Sequence, residues 1–220
     1  MIKKSILVMV IVLFTGWNIA AQEARITHIN GTVELRNAGE REWRPASVGT
    51  VISRNTVIST GIRSRALISL GSSTITVEPV TILTLEELIR RDNTEETVVH
   101  LRTGRIRADV TPPSDMRTEF TVTSPSATAS VRGTSFTFNG RRLTTHSGRV
   151  AFFNTSGQRV IVNGNQSSYA DSSRHGRLTL PFETAVSSLR TSLTELDSTG
   201  SGSNPPSTGA ADVAVDLGWN

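Results

Sequence analysis

The sequence predicts an all-β protein: short strands folded as a two-sheet sandwich or β-roll, followed by a short C-terminal helix and a flexible tail. Three observations carry that prediction. The 220 residues are 36% apolar and 5% aromatic, below the usual globular share. Ser, Thr and Gly make up the difference, which suits strands and turns better than long helices. Apolar residues recur at every second position in segment after segment, the period of a half-buried strand. Finally, one template occurs three times: a small polar residue, then Gly, then apolar residues two and four places on. Its copies are Asn30-Gly31-Thr32-Val33-Glu34-Leu35, Thr103-Gly104-Arg105-Ile106-Arg107-Ala108 and Ser147-Gly148-Arg149-Val150-Ala151-Phe152. Gly takes positive φ at no steric cost, which suits a turn that launches a strand. The copies are unequally spaced, so they read as related strand–turn units of one domain and not as a solenoid.

Residues 1–21 read as an export signal. Lys3-Lys4 precede the apolar run Ser5 to Phe14, and small residues lead to Ala20-Ala21, with cleavage expected after Ala21. The mature chain then lies in the periplasm, on the cell surface or outside the cell, with no transmembrane span. The alternative is an uncleaved anchor, although the run falls short of the ~20 residues a span needs. There is no cysteine, so disulfides, thiolate metal sites and a lipidated cysteine are excluded.

Residues 22–180 form the predicted β domain. "GTVEL", "RALISL", "GRIRADV" and "GRVAF" each alternate apolar with polar residues. "GTVISRNTVISTG" gives two short strands around Ser53-Arg54-Asn55, and "SLGSSTITVEP" a hairpin turning at Gly71-Ser72-Ser73. "TILTLEELIRRDNTEETVVHLR" reads as a hairpin turning at Asp92-Asn93-Thr94, although Leu85 to Arg91 alone fits a helix. "QRVIVNGNQSSYA" turns at Asn163-Gly164. Residues 181–197 follow with Phe182, Ala185, Val186, Leu189 and Leu193 at helical spacing, and residues 198–220 form a polar linker and tail.

Of the 23 basic residues, two are the signal lysines and the remaining 21 are arginine, against 19 acids. The arginines are scattered, with Arg63/Arg65 and Arg105/Arg107 at the alternate positions of a solvated strand face. No basic stripe with interleaved aromatics appears, so nucleic acid is not an expected partner. The four histidines, His28, His100, His146 and His175, match no metal-ligand spacing. No G-x-S-x-G elbow and no phosphate loop is present. Catalytic residues, cofactor and metal are therefore all expected to be none. Glu86-Glu87 and Glu95-Glu96 read as exposed gatekeepers around a turn. Trp43 in "REWRPA" is either a stacking platform or, more commonly for a lone Trp beside a turn, a core plug.

"SATASVRGTSFTF" is the least ordinary stretch. Its apolar residues change parity twice: Phe120 and Val122 are even, Ala127, Ala129 and Val131 odd, Phe136 and Phe138 even again. Pro125 accounts for the first change as a turn. A β-bulge or sharp bend at Gly133 accounts for the second, with Arg132 free to bond a carbonyl or pair with an acid.

At these residues the chain resembles the FecR domain family. The matching elements, in the family's order, are "GTVELR", "REWRPASVGTVISRNTVISTGIRSRALISLGSSTITVEPVTIL", "LRTGRIRADV", "FTVTSPSATASVRGTSFTF" and "THSGRVAFF". Arg132-Gly133-Thr134 is the most specific piece and Thr60-Gly61 the next. The resemblance covers about residues 25 to 170 and implies an exported, β-rich, non-enzymatic domain. In iron-transport regulators of this family such a domain signals through a membrane span to a cytoplasmic sigma factor. Only Met1 to Lys4 precede the apolar run here, so no sigma-binding region is expected ahead of it. The expected role is an interaction module of the cell envelope that binds a protein or glycan. A signalling accessory held by an uncleaved anchor and a glycan hydrolase are the alternatives.

Overall fold

The computed structural model describes residues 23–91, 93–171 and 177–183. The predicted export signal, nearly all of the predicted helix and the tail lie outside the described residues. The strands in chain order are β1 (Ala24–Asn30), β2 (Val33–Arg36), β3 (Arg44–Pro45), β4 (Val51–Ile52), β5 (Thr56–Thr60), β6 (Arg65–Leu70), β7 (Ser73–Val77), β8 (Thr81–Arg91) and β9 (Thr94–Thr103). They continue as β10 (Ile106–Asp109), β11 (Arg117–Thr123), β12 (Ala127–Val131), β13 (Ser135–Phe138), β14 (Arg142–Ser147), β15 (Arg149–Asn154), β16 (Arg159–Asn163), β17 (Gln166–Tyr169) and β18 (Phe182–Glu183).

These strands form two nine-stranded sheets. The first runs β18-β17-β14-β13-β10-β7-β6-β1-β4 and the second β16-β15-β12-β11-β9-β8-β5-β2-β3. All-β architecture in two layers is what the composition and alternation predicted. Hairpins are laid down in one sheet or the other, and the chain changes sheet between them. Neighbouring strands are antiparallel except β9 and β11, which run parallel because β10 takes the chain out to the first sheet and back between them.

Alternating residues from both sheets meet in one apolar core. Phe120 and Phe152 from the second sheet and Phe136 and Phe138 from the first are fully buried. They meet edge to face across the layers, Phe120 with Phe136 at 6.4 Å and Phe138 with Phe152 at 5.9 Å between ring centroids. Burying each ring contributes roughly 1.5–3 kcal/mol, and each ring pair about 0.5–1.5 kcal/mol more. Ala127 and Ala129 on β12 are small where these rings need room, and Ala129 stands opposite Phe152 in the register.

The threefold template has a common structural meaning. Gly31, Gly104 and Gly148 have φ of +78°, +93° and +82°, and each stands where the chain passes from one sheet to the other. Each presses on a buried hydroxyl residue from a second crossover: Gly31 on Ser64, Gly104 on Thr81, Gly148 on Thr134. The amide after the glycine donates to that hydroxyl, from Thr32 to Ser64 Oγ at 2.8 Å, from Arg105 to Thr81 Oγ1 at 2.9 Å and from Arg149 to Thr134 Oγ1 at 3.4 Å. Thr81 and Thr134 donate back to the carbonyls of Arg105 and Arg149 at 3.1 and 3.0 Å. A clasp of this kind satisfies backbone groups that a change of sheet would otherwise leave unpaired.

Three sequence expectations need correction. Phe182 and Glu183, placed at the start of a helix, form strand β18 against β17, because an unpaired sheet edge offers their backbone ready partners. Glu95, expected on the surface, is 1% exposed. The inward parity of β9 carries it, with Thr97, Val99 and Leu101, to the core side, where it accepts from the amide and hydroxyl of Ser72 in the β6–β7 turn at 3.2 and 3.0 Å. Trp43 is no core plug: it is 36% exposed, with the Arg36 guanidinium 4.8 Å from its ring centroid. It sits beside β3, a two-residue edge strand with too little inner face to bury an indole.

Candidate functional site

The parity change at Gly133 resolves as a crossover. Strand β12 ends at Val131 in the second sheet and β13 begins at Ser135 in the first, so inward-facing residues stay inward although their parity shifts. The bend is there as expected, at φ +124°. The bulge lies elsewhere, in the β13–β14 ladder, where the register slips between Ser135 and Phe136. A Cβ on Gly133 would stand 2.8 Å from Pro112 Cγ. Thr134 is buried and exchanges backbone hydrogen bonds with Val110 at 3.0 and 3.1 Å. Gly133 and Thr134 are therefore built into the crossover, whereas the Arg132 side chain projects outward and pairs with Glu119 at 2.9 Å.

Thr60 and Gly61 form a comparable structural unit at the other end of β10. Thr60 Oγ1 donates to the Glu78 carbonyl at 2.7 Å and accepts from the Thr81 amide at 3.0 Å. Gly61 donates to the Thr32 carbonyl at 2.9 Å and accepts from the Val80 amide at 3.2 Å. A third position holds Trp43, at the β3 edge of the second sheet. The three sequence-predicted motifs thus do not converge.

What does converge is a groove of about 890 Å³ along the Arg132 crossover and the outer face of β12, β15 and β16. Arg132, Gly133 and Thr134 close one end. Arg149 stands beside them, Ala151, Phe153 and Ile161 line the floor, and Arg159 lies over the Phe153 ring at 5.8 Å. Among the described residues no Asp or Glu lines it. Arg149, Phe153, Arg159 and Ile161 were not singled out by the sequence. Their signal was the outward parity of "RVAFFN" and "RVIVN": Phe153 and Ile161 are apolar on a face where polar residues belong, and such residues mark an interaction surface.

Hydroxyl–imidazole and hydroxyl–carboxylate contacts also occur. On the outer face of the first sheet Ser135 donates to Asp109, and Thr137 bonds His146 Nε2 at 2.8 Å. His146 is held below the usual imidazole range by desolvation and then by the positive charge of Arg107. On the second sheet Thr123 bonds His100 Nδ1 at 2.9 Å. Ser135 reaches a carboxylate and not an imidazole, so no Ser–His–Asp relay is assembled there. Among the described residues no three His, Asp or Glu side chains gather as a metal cage.

Fold and site together define a class: a two-layer all-β domain whose chain crosses repeatedly between sheets and which presents a basic-rimmed groove on one outer face. Residues 56–157 match the family model described as FecR protein. No curated protein matches the chain. Two crystal structures from Parabacteroides distasonis, each described as a "putative anti-sigma factor", are similar to it. One matches at 14% identity and a TM-score of 0.50, over 62% of this chain and 63% of its own. The other matches at 13% identity and a TM-score of 0.49, over 62% and 64%. Each match thus spans less than two thirds of the other protein's length, and at 14% identity the first speaks to the fold alone.

Proposed function

We propose that this protein is an exported, non-catalytic interaction module of the cell envelope, and that it serves signal transduction by holding a partner protein in the groove beside Arg132. The observation that carries the reading is the groove itself. It combines an apolar floor with two guanidinium groups, of Arg149 and Arg159, that form no ion pair among the described residues, it is made from strands of one sheet, and it is closed by the most specific motif of the FecR resemblance. Sites built on strands hold their geometry without ordering cost, as a recognition surface requires. The signal-like residues 1–21 support the exported address. The description of the neighbour that matches at a TM-score of 0.50 as a "putative anti-sigma factor" supports a role in signalling.

The test is affinity capture from an envelope fraction with the full chain as bait. Ile161→Glu places a charge on the groove floor, and Thr76→Glu does the same on the outer face of the first sheet. The expected result is a partner retained by the unaltered chain and by Thr76→Glu but lost with Ile161→Glu. Identical capture by all three baits sinks the proposal.

A further inference from the structure

The register of the second sheet fixes the positions of the groove's charges, and with them the ligand that fits. On the outer face, Arg149 on β15 stands opposite Asn163 on β16, and Arg132, just past the end of β12, lies beside them in the groove. The next row is Thr121, Ser130, Ala151 and Ile161, and the one after is Thr123, Thr128, Phe153 and Arg159. Glu119 already engages Arg132. Arg149 and Arg159 form no ion pair among the described residues, and both are exposed. Their rows are four residues apart along the strands, a distance of roughly 13 Å, with Ala151 and Ile161 between.

We propose that the groove takes an extended acidic segment of a partner protein in which an acidic residue, an apolar residue and a second acidic residue occupy alternate positions. This rests on the partner-binding role proposed above and names the chemistry that role requires. Side chains at i, i+2 and i+4 of an extended chain share one face and span about 13 Å. A peptide lying along β16 therefore sets one carboxylate against Arg149, its apolar side chain on Ala151 and Ile161, and its second carboxylate against Arg159. Arg favours this use because its planar fork binds carboxylate in two-pronged fashion. Adjacent acids, or acids two residues apart, leave one guanidinium unmatched.

Fluorescence anisotropy of the labelled peptide SDSISDS with the full chain provides the test. Saturable binding is expected, weakening steeply with added salt. It should fall at least tenfold in Arg149→Glu and in Arg159→Glu with melting temperatures unchanged, since both side chains are exposed. It should also fall for the rearranged peptide SDDSISS. Equal binding of SNSISNS, or affinities within twofold in both arginine variants, overturns the acidic assignment. An acidic polysaccharide that displaces the peptide and binds more tightly with the same arginine dependence overturns it in favour of a glycan. If no peptide binds while Ile161→Glu still loses its envelope partner, the ligand class is wrong and the binding role stands. If capture is also unaffected, both fall.

Discussion

Gly104 and Gly157 have nearly the same backbone conformation, φ +93° and +84°, and opposite surroundings. A Cβ on Gly104 would stand 2.5 Å from Thr81 Cα, whereas one on Gly157 would meet nothing within 4 Å. Gly104 serves a crossover between sheets, where two turns of backbone are pressed together. Gly157 serves the open turn between β15 and β16. The left-handed conformation alone costs a non-glycine residue roughly 1–2 kcal/mol. Crowding against immovable backbone adds overpacking of about 1–3 kcal/mol. The same residue type is therefore replaceable in one place and obligatory in the other, and φ does not tell them apart.

Gly104→Ala should have the largest effect, a loss of about 2–5 kcal/mol from strain plus overpacking, read from chemical denaturation. Gly157→Ala in the same assay should cost no more than about 1–2 kcal/mol. Equal losses would break the comparison, because backbone conformation alone would then explain both.

Next in size is the clasp itself. Thr134→Val keeps the shape of the side chain but removes the hydroxyl that takes the Arg149 amide and gives to the Arg149 carbonyl. A loss of about 1–3 kcal/mol is expected from unsatisfied buried backbone groups, with Thr134→Ser recovering most of it. No difference between the Val and Ser variants would mean that packing, not hydrogen bonding, closes the crossover.

The smallest effect should have the opposite sign. Val80, at the β7–β8 crossover, is 60% exposed with φ +54°, a conformation a β-branched residue adopts only under strain. Val80→Asn should raise stability by up to about 1 kcal/mol, seen as a higher melting temperature. A lower one would show that Val80 makes a contact worth more than its strain.

Much of this architecture was legible in the chain. Alternation located the strands from "GTVEL" to "QRVIVNGNQSSYA" because each has a dry face and a wet face, and a period of two is the direct record of that. The three Gly templates were legible as launch turns. The parity change around Arg132-Gly133-Thr134 was legible as a bend. The crossovers were not, because a bulge within one strand and a passage between two sheets leave the same mark on parity. Glu95 was misjudged because its carboxylate is satisfied by Ser72, more than twenty residues away in sequence, and no local pattern announces such a partner. The groove escaped for a similar reason. Arg149 and Arg159 become a pair only when β15 and β16 are aligned and their outward faces are left uncovered.

Local chemistry along the chain set the class of the fold, the inward and outward faces of its strands and the turns that glycine launches, since these follow from side-chain chemistry and backbone sterics over a few residues. Which sheet each strand joined, which hydroxyl clasped which glycine, and how far apart two arginines stand on an open face were settled only when distant segments packed together. Those outcomes depend on register and on contacts between distant segments, and no residue carries them singly.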